Sequence, residues 1–397
     1  MTPAAPRLTF LIYSPYPRYS GGRENWLSNL SGVLSRLGVP VTIVSRASNR
    51  KPFYPAVEGV DVVLLGSVRY FDEAFFWINR LTLGLARLID MLIIYPLTAA
   101  LWLAREKPDV LVCMNSVPEG LAARIAGRPF FVSVRGDVPY EMRPRWLLER
   151  PMRALERRVL RRAIHVLANG FDTQARLKTE GIDSSVVPNG VDLDRFRTAA
   201  ADGPGAEALL DAAKGRPVIS VVGTMRPIKG TDEAITCAGE LKATGADFMM
   251  ALVGKGEEAR YRGAVHAADL DDVVAVIGEM KDVPGVLRRT DVFLALSGGS
   301  GMSMAVLEAM AAGLAIVAVD SPTYRQLITH DVNGLLAVVP PDIALACRRL
   351  LRDPDLRRRL GEAAARSAEG YGWDRVAKTL LAELGAYAPV TVPAPTA

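Results

Sequence analysis

Residues 297–319, with the sequence SGGSGMSMAVLEAMAAGLAIVAV, combine the parts of an anion-binding site with a single carboxylate. They predict a small-residue loop, a short helix and an apolar strand. Ser303 is expected to cap the helix, whose first backbone amides would then face an anion, because helix N-termini attract negative charge. Glu308 lies one turn inside and has two oxygens that could accept both hydroxyls of a ribose diol. Gly313 suits the left-handed residue after the helix. By itself, the segment is equally typical of an ordinary loop, helix and strand.

A second loop, in VVGTMRPIKGTDEAI, carries two cations directly after an apolar strand. Arg226 and Lys229 stand between Gly223 and Gly230. In doubly wound sheets ligands collect at the carboxyl ends of strands, so these cations lie where a diphosphate could be held. Two basic residues in a loop are often merely solvated. Combined with the helix amides and Glu308, however, they describe a nucleotide-sugar site.

Glycine turns follow two other predicted strands. Gly21 and Gly22 precede a helix in SPYPRYSGGRENWLSNL, and paired glycines let backbone amides approach a ligand closely. Such turns are common, so this signal alone is weak. The turn in LVGKGEE, residues 252–258, is assigned no chemical role.

The composition is that of a globular protein built on buried parallel strands. Half of the 397 residues are hydrophobic, only 7% are aromatic and 34 are glycine. A net charge of +5 suits an anionic ligand, nucleic acid or an acidic membrane, and does not choose among them. Three cysteines without paired spacing and three isolated histidines argue against a disulfide framework or a metal cluster, so no metal and no cofactor is expected. The glycine loops also lack a P-loop and a convincing dinucleotide fingerprint.

The chain begins almost directly with a strand pattern, so no secretory signal is expected and the predicted setting is cytoplasmic. The longest charge-free apolar run, residues 91–104, is interrupted by Pro96 and has 14 residues, too few to cross a bilayer comfortably. It is interpreted as a buried helix.

Short aliphatic runs bounded by turn residues predict strands, and helix-length patterns between most of them predict parallel crossover units. The predicted fold is therefore α/β, with two Rossmann-like doubly wound domains. The strand runs of the first half are residues 9–14, 40–45, 60–66, 109–114, 130–136, 165–170 and 184–190. Those of the second half begin at residues 217–224 and continue with DFMMALVGKG, VVAVIGEM, DVFLALS, AIVAVDS and NGLLAV.

The stretch RTAAADGPGAEALLDAAKGRP, rich in Ala and Gly, separates the halves and predicts a linker. The predicted organisation is an N-terminal domain over residues 1–196, a linker over 197–216, a C-terminal nucleotide-sugar domain over 217–371, a final helix over 372–388 and a disordered tail over 389–397.

Residues 140–163, YEMRPRWLLERPMRALERRVLRRA, contain eight arginines against three glutamates, interleaved with apolar residues. The pattern predicts a basic amphipathic helix. Contact with an anionic lipid surface and a solvated helix that covers the sheet are both consistent with it.

The assembled motifs resemble those of family 4 glycosyltransferases of the GT-B fold, over residues 8 to about 385. The motifs that coincide in order are GGRE (21–24), KPDVLV (107–112), VPNGVDLDRF (187–196), GTMRPIKG (223–230), LVGKGEE and SGMSMAVLEAMAAG (300–313). The resemblance implies two Rossmann-like domains around a cleft that closes over its substrates, with the donor mainly on the C-terminal domain and the acceptor on the N-terminal one. It also implies that the last helix crosses back to the first domain.

Carried over by position, the resemblance assigns Arg226 and Lys229, next to Gly223, to the diphosphate, and Glu308 to the ribose. It implies that Gly22 lines the cleft near the phosphates. The loop Gly301, Met302 and Ser303 would meet the donor sugar and phosphate through backbone groups. The implied reaction is sugar transfer with retained anomeric configuration and without a metal.

Three positions depart from the family's pattern. Ser300 stands where the glutamate eight places before Glu308 is usual, so a carboxylate expected near the donor sugar is missing. Thr224 replaces the arginine common after the first glycine of the phosphate loop. Arg135 precedes Gly136 and Asp137 where many members have histidine, on the acceptor side of the site. Sugar identity and catalytic detail depend on these positions.

Three functions fit the sequence. The first is a glycosyltransferase with a glycan or lipid-linked acceptor, with no nucleic-acid partner and with residues 140–163 on an anionic membrane surface. The second is a non-catalytic GT-B subunit that binds a nucleotide sugar, suggested by Ser300. The third is a nucleotide-sugar epimerase, which would need an acid/base set that three scattered histidines do not supply.

Overall fold

The structure of the chain is a computed structural model that describes residues 6–18, 21–48, 51–66, 82, 85–135, 146–198, 203–297 and 302–387. It divides into two compact units. One comprises Met1–Pro188 with Trp373–Ala397, and the other comprises Asn189–Gly372.

The first unit is built on seven parallel strands in the order β3-β2-β1-β4-β5-β6-β7. The strands are β1 (Leu8–Leu11), β2 (Val41–Arg46), β3 (Val60–Leu65), β4 (Val110–Cys113), β5 (Phe131–Val134), β6 (Val166–Ala168) and β7 (Ser185–Val186). The helices described before the chain enters the second unit are α1 (Gly22–Arg36), α2 (Leu85–Glu106, with a π-helical turn at Asp90–Ile94), α3 (Leu121–Ile125), α4 (Trp146–Leu160) and α5 (Phe171–Thr179).

Helices cover the two faces of this sheet because alternate strand residues point to opposite sides. Leu11 of β1 belongs to the core cluster shared by α2, α3 and α4, through residues such as Leu103 and Val159. Phe10, its neighbour, instead meets Trp26 of α1 edge to face, with ring centroids 6.2 Å apart. α2, α3 and α4 therefore form one layer, opposite α1.

The second unit is built on six parallel strands in the order β10-β9-β8-β11-β12-β13. The strands are β8 (Val218–Val222), β9 (Met249–Val253), β10 (Val274–Gly278), β11 (Val292–Ala295), β12 (Ala315–Val319) and β13 (Leu335–Ala337). The helices are α6 (Leu193–Arg197), α7 (Pro204–Ala213), α8 (Thr231–Ala243), α9 (Glu258–Ala267), α10 (Val283–Arg288), α11 (Met304–Ala311), α12 (Pro322–Leu327), α13 (Pro340–Arg352) and α14 (Pro354–Ala368).

Each sheet reverses its winding direction at its first strand. β1 lies between β2 and β4, and β8 lies between β9 and β11. The loops that leave β1 and β4, or β8 and β11, diverge to opposite faces, which opens a crevice at the carboxyl ends of these strands. The prediction of two doubly wound parallel sheets is confirmed, and every predicted strand run overlaps an observed strand.

The structure differs from the predicted domain limits between residues 189 and 216. The units divide after Pro188, so that α6 belongs to the second unit, where α11 packs against it. The predicted linker contains α7, which buries Leu209 and packs on α10. The Asp282 carboxylate accepts a hydrogen bond of 3.0 Å from the Gly205 amide. The composition did not reveal this helix, because a segment rich in alanine and glycine is typical both of a flexible linker and of a closely packed helix.

The last helix, α15 (Trp373–Gly385), groups with the first unit. It packs against α1 through a buried apolar face. Ser185 of β7 donates a hydrogen bond of 2.6 Å to Glu383, and Tyr387 stacks on His165 with ring centroids 4.5 Å apart. The predicted disordered tail, residues 389–397, lies outside the described residues.

The interpretation of residues 91–104 as a buried helix was only half right. α2 has 22 residues, and an 18-residue window within it has a mean hydropathy of 1.5, so it is long and apolar enough by these two measures to cross a membrane. One face packs on the sheet and the opposite face is exposed. The apolar run predicted a helix, but it did not predict that the apolar residues lie on the exposed face as well as on the buried one.

Candidate functional site

Backbone hydrogen bonds to the loop after β9 hold the loop after β8 in position. Gly223 follows the strand with φ of 155°, a conformation that favours glycine. Met225 is buried and its amide donates to the Lys255 carbonyl oxygen at 2.9 Å. Its own carbonyl accepts from the Glu257 amide at 3.2 Å. Arg226, the next residue, is thereby fixed at the exposed edge of the loop.

Two glycines in the LVGKGEE turn allow this close approach. A Cβ at Gly254 would lie 1.9 Å from the carbonyl oxygen of Gly223, and a Cβ at Gly256 would lie 2.3 Å from that of Met225. The turn therefore supports the cation loop through its backbone.

Gly230 joins the cation loop to the end of β11. Its φ is 77°, and a Cβ there would lie 2.3 Å from the Cβ of Leu296. The loops of β8 and β11 thus meet at the point where the sheet reverses, which is the crevice expected for a ligand.

The two cations of this loop influence each other. Burial lowers the pKa of Lys229, and the charge of Arg226 lowers it further. A diphosphate bound between them would offset both effects, because it supplies negative charge to a partly desolvated ammonium and a guanidinium.

The loop before α11 is positioned differently from the sequence prediction. Ser303 occupies the N-cap position with extended backbone, but its hydroxyl accepts no capping hydrogen bond, so the predicted side-chain cap is wrong. Asn189 instead donates from Nδ2 to the carbonyl oxygen of the buried Met302 at 2.6 Å. This bond fixes the loop immediately before the helix and leaves the Ser303 hydroxyl available for other contacts.

The other end of α11 follows the prediction. Gly313 has φ of 76°, and its amide donates to Met310 at 3.0 Å while the Leu314 amide donates to Ala309 at 3.1 Å. These two bonds form a Schellman motif, which ends the helix and directs the chain into β12.

Glu308 projects from α11 as a partly buried carboxyl group. Burial raises its pKa from 4.5 to about 7, while the charge of Arg195 on α6 opposes the rise. Within the described part of the chain, its carboxylate makes no side-chain hydrogen bond or ion pair. A ligand with two hydroxyl groups would stabilise such a partly desolvated carboxylate by donating two hydrogen bonds to it.

Sequence reasoning did not single out Asn189 and Arg195. Both belong to the VPNGVDLDRF motif, which was quoted only as part of the resemblance. Asp192 in the same motif caps α6 by accepting a hydrogen bond of 3.1 Å from the Arg195 amide. The sequence signal that could have identified Arg195 was its position three residues after Asp192, a residue type that caps helices.

In the first unit, Gly22 begins α1 at the loop after β1, and a Cβ there would meet no atom within 4 Å. The adjoining loop is tied to α1, because the Ser14 hydroxyl donates to the buried Glu24 carboxylate. Gly22 thus offers an open backbone position at the crevice of the first sheet.

Arg135 follows β5 and is engaged on several sides. Its guanidinium lies 3.5 Å from the centroid of the Trp26 ring, and burial lowers its pKa. Its Nε donates to Ser133 Oγ and its Nη2 to the Val187 carbonyl oxygen, both at 3.0 Å. Trp26 Nε1 donates to the neighbouring Pro188 carbonyl at 3.2 Å. Arg135 therefore anchors the end of the first unit's sheet.

Except for Gly22, the predicted donor residues that the structure describes come from two adjacent strand ends of one unit. They are Gly223, Arg226, Lys229, Met302, Ser303 and Glu308. Gly22 and Arg135 lie in the first unit. Asp137, Ser300 and Gly301 lie outside the described residues.

Comparison with known proteins agrees with this architecture. A model of the Glycosyltransferase Family 4 domain matches residues 20–195, and one of the Glycosyl transferases group 1 domain matches residues 208–367. The phosphatidyl-myo-inositol mannosyltransferase of Mycobacterium tuberculosis is 29% identical over 243 residues, which cover 58% of this chain and 60% of that protein. The alignment thus spans less than two thirds of the relative's length.

Two solved structures share the fold. Sucrose-phosphate synthase from Thermosynechococcus elongatus superposes with a TM-score of 0.76 at 18% identity, covering 96% of this chain and 99% of that one. Anabaena Alr3699/HepE in complex with UDP-glucose gives 0.71 at 17% identity, covering 96% and 100%. The two family models, which together match most of the chain, and the two parallel sheets show that the chain belongs to the group 1, or family 4, glycosyltransferases and has their GT-B fold.

Proposed function

We propose that the protein is a retaining, metal-independent glycosyltransferase. It transfers a sugar from a nucleotide-sugar donor to a glycan or lipid-linked acceptor in the synthesis of a cell-surface polysaccharide or glycolipid. The observation that carries the proposal is that Arg226 and Lys229 on the β8 loop and the partly buried Glu308 beyond β11 come from adjacent strand ends of one sheet. A nucleoside diphosphate offers its diphosphate to the two cations and its ribose diol to Glu308.

The two cations act on the leaving group. Transfer breaks the bond between the anomeric carbon and a diphosphate oxygen. The acceptor oxygen forms the new bond on the same face of the sugar, and its proton passes to the departing diphosphate. Negative charge grows on the departing diphosphate as that bond breaks. Arg226 and Lys229 stabilise this charge with a geometry that the loop fixes in advance, which lowers the barrier more than flexible cations could.

The segment before α11 contacts the rest of the donor. We assign Met302 and Ser303 to the sugar and phosphate through their backbone groups, together with Ser300 and Gly301 from the resemblance. Gly223 lets the phosphate approach the β8 loop closely. Glu308 accepts hydrogen bonds from the two ribose hydroxyls.

The first unit serves the acceptor. The resemblance assigns Arg135 and Asp137 to the acceptor side and Gly22 to the donor phosphates. Because the Arg135 guanidinium already binds Ser133 and Val187, its contribution is to hold the acceptor-side backbone in place.

One relative and one solved structure support the proposed acceptor and donor. The mannosyltransferase relative acts on phosphatidyl-myo-inositol by its name, which supports a lipid-linked acceptor. The HepE structure contains UDP-glucose, which supports testing uridine donors first. We place the protein on the cytoplasmic side of a membrane, with the basic segment 140–163 towards anionic lipid. In that segment Arg150, Arg158, Arg161 and Arg162 are exposed.

The test measures donor binding and turnover together. Thermal shift with UDP-, GDP- and ADP-sugars should identify one stabilising donor class, because stabilisation follows affinity. The same donor should be hydrolysed slowly without acceptor. Lys229→Met should lower that rate about a hundredfold or more, the usual scale for losing one charge-stabilising group. Lys378→Met, an exposed cation on α15, is the matched control and should leave the rate unchanged.

Two outcomes would replace the proposal. Binding without turnover that Ser300→Glu does not change would identify a non-catalytic donor-binding subunit. Conversion of the donor to its epimer without acceptor would identify an epimerase.

A further inference from the structure

α2 carries an exposed apolar stripe opposite its buried face. Its buried residues recur every fourth position and pack into the core of the first unit: Met91, Tyr95, Ala99 and Leu103. Offset from them by two positions, a second set is 41–62% exposed: Leu85, Ile89, Ile93, Leu97 and Leu101. Large aliphatic side chains at five successive steps of one helix face are unlike the scattered apolar residues of an ordinary surface.

The stripe is straight and long. In a regular α-helix, residues four apart drift around the axis by about 40° per step. The π-helical turn at Asp90–Ile94 has more residues per turn and counteracts this drift, so the stripe stays on one side. At a rise of about 1.5 Å per residue, it extends about 24 Å.

A buried charge cluster fixes the helix's rotation. Asp90 is fully buried and pairs with Arg46 Nη2 at 2.6 Å. It also accepts a hydrogen bond of 2.7 Å from the Tyr13 hydroxyl. Turning α2, or withdrawing it to span a bilayer, would leave these charges unpaired in an apolar environment. The helix therefore lies on the sheet with its stripe outwards.

Exposed cations outnumber exposed acidic side chains in this part of the first unit. Among the described residues of 85–135, the exposed acidic side chains are Glu106 and Asp109. The exposed cations of the same residues are Arg87, Arg105, Lys107 and Arg124.

The neighbouring helix of the same layer adds to this charge. Arg150, Arg158, Arg161 and Arg162 on and just after α4 are exposed, and α4 shares its core with α2. Among the described residues 146–163, the acidic side chains are Glu149 and Glu156, which pair with Arg153 and Arg176. The layer thus carries an exposed apolar stripe together with an excess of exposed cations.

We propose that this face of the first unit docks on an anionic lipid bilayer, with the α2 stripe inserted at the headgroup–acyl boundary. The α4 arginines then contact the anionic headgroups. A ridge of aliphatic side chains flanked by cations fits a bilayer, because the bilayer offers apolar depth below a plane of negative charge. The inference rests on the proposed function for its lipid-linked acceptor, and it assigns the membrane contact primarily to α2.

The experiment is cosedimentation of the full chain with vesicles. Wild type should bind vesicles of phosphatidylcholine mixed with phosphatidylglycerol, and should bind vesicles of phosphatidylcholine alone much more weakly. Ile93→Ser with Leu97→Ser should weaken binding by about tenfold or more, since two large aliphatic side chains no longer leave water. Leu345→Ser, on an exposed apolar residue of α13, is the matched control and should bind as wild type. Arg158→Gln with Arg161→Gln should reduce binding and its sensitivity to salt.

The readouts separate this inference from the function on which it rests. Donor thermal shifts should be equal in wild type and in the Ile93→Ser/Leu97→Ser variant. If no donor shifts the wild type, the proposed function fails while the vesicle result still stands. Wild type that ignores anionic vesicles, or a double variant that binds them equally, overturns the inference.

Two further results would give the stripe another partner and would also overturn the inference. A lower unfolding temperature of the double variant would show that the chain itself covers the stripe. Loss of a dimer in gel filtration would show that a second copy does.

Discussion

The carboxyl group of Glu308 titrates near neutrality because the fold removes it from water without supplying a cation close enough to compensate. Burial is the main cause, and Arg195 offsets only part of it. A group whose pKa lies above its unfolded value of 4.5 favours the folded state below that pH. This contribution is lost as pH rises through about 7. Hydrogen bonds from donor hydroxyls to the ionised carboxylate would restore this stabilisation.

A pH dependence of donor binding follows. If the ribose binds ionised Glu308, whose pKa is about 7, the donor should bind about tenfold more weakly at pH 6 than at pH 8. The diphosphate of a nucleotide sugar does not titrate in this range. Calorimetric titration across these pH values measures the effect.

Glu308→Gln should weaken donor binding and abolish the pH dependence, since an amide cannot ionise. Glu207→Gln, on an exposed carboxylate of α7, should retain both the affinity and the slope. An unchanged affinity in Glu308→Gln would remove this residue from the donor site.

At the scale of elements, the cation loop after β8 depends on three glycines in two different turns. Gly254 and Gly256 admit the backbone of the loop, and Gly230 turns it against Leu296. The sequence shows each glycine, but only the folded sheet shows that they surround the same loop.

Gly230→Ala should lower the free energy of unfolding by about 2 kcal/mol or more. The new Cβ would need a left-handed backbone and would collide with Leu296. Donor affinity should fall as well, because Lys229 precedes this turn. Urea denaturation and donor titration measure the two effects.

Gly263→Ala provides the matched control. Gly263 lies exposed in α9, where a Cβ meets no atom within 4 Å. Alanine there should stabilise the protein by about 0.5–1 kcal/mol. Equal stabilities of the two variants would contradict the role given to the Gly230 turn.

At the scale of the whole molecule, the first unit is completed by the last described helix of the chain. α15 buries Trp373, Val376, Leu380 and Leu384, and it packs on α1. Its bond between Glu383 and Ser185 ties residues 198 positions apart. The first unit should therefore be unstable without a segment that follows the entire second unit.

Truncation after Gly372 tests this dependence. Hydrogen exchange should accelerate strongly in peptides from β1 to β7, because each large buried side chain lost from α15 is worth about 2–5 kcal/mol. Peptides from β8 to β13 should keep their protection. Truncation after Tyr387 removes only the tail and should change neither set. Retained protection in the first sheet after the longer truncation would show that α15 is dispensable.

The sequence by itself determined the positions of the strands, the two parallel sheets and the family. Period, turn residues and motif order are local properties, and they survive in the folded chain. The Gly313 helix end was predictable for the same reason, since a left-handed residue and two backbone bonds involve only its neighbours. The donor residues were nominated from their places at strand ends, and their roles remain predictions.

Tertiary structure decided the relations between distant residues. It placed Arg195 near Glu308, replaced the expected Ser303 cap with a bond from Asn189, and ended the first unit at Pro188. It also separated the apolar residues of α2 into a buried face and an exposed stripe. These features depend on which surfaces pack together, and burial, pKa and exposure are properties of that packing rather than of the local sequence.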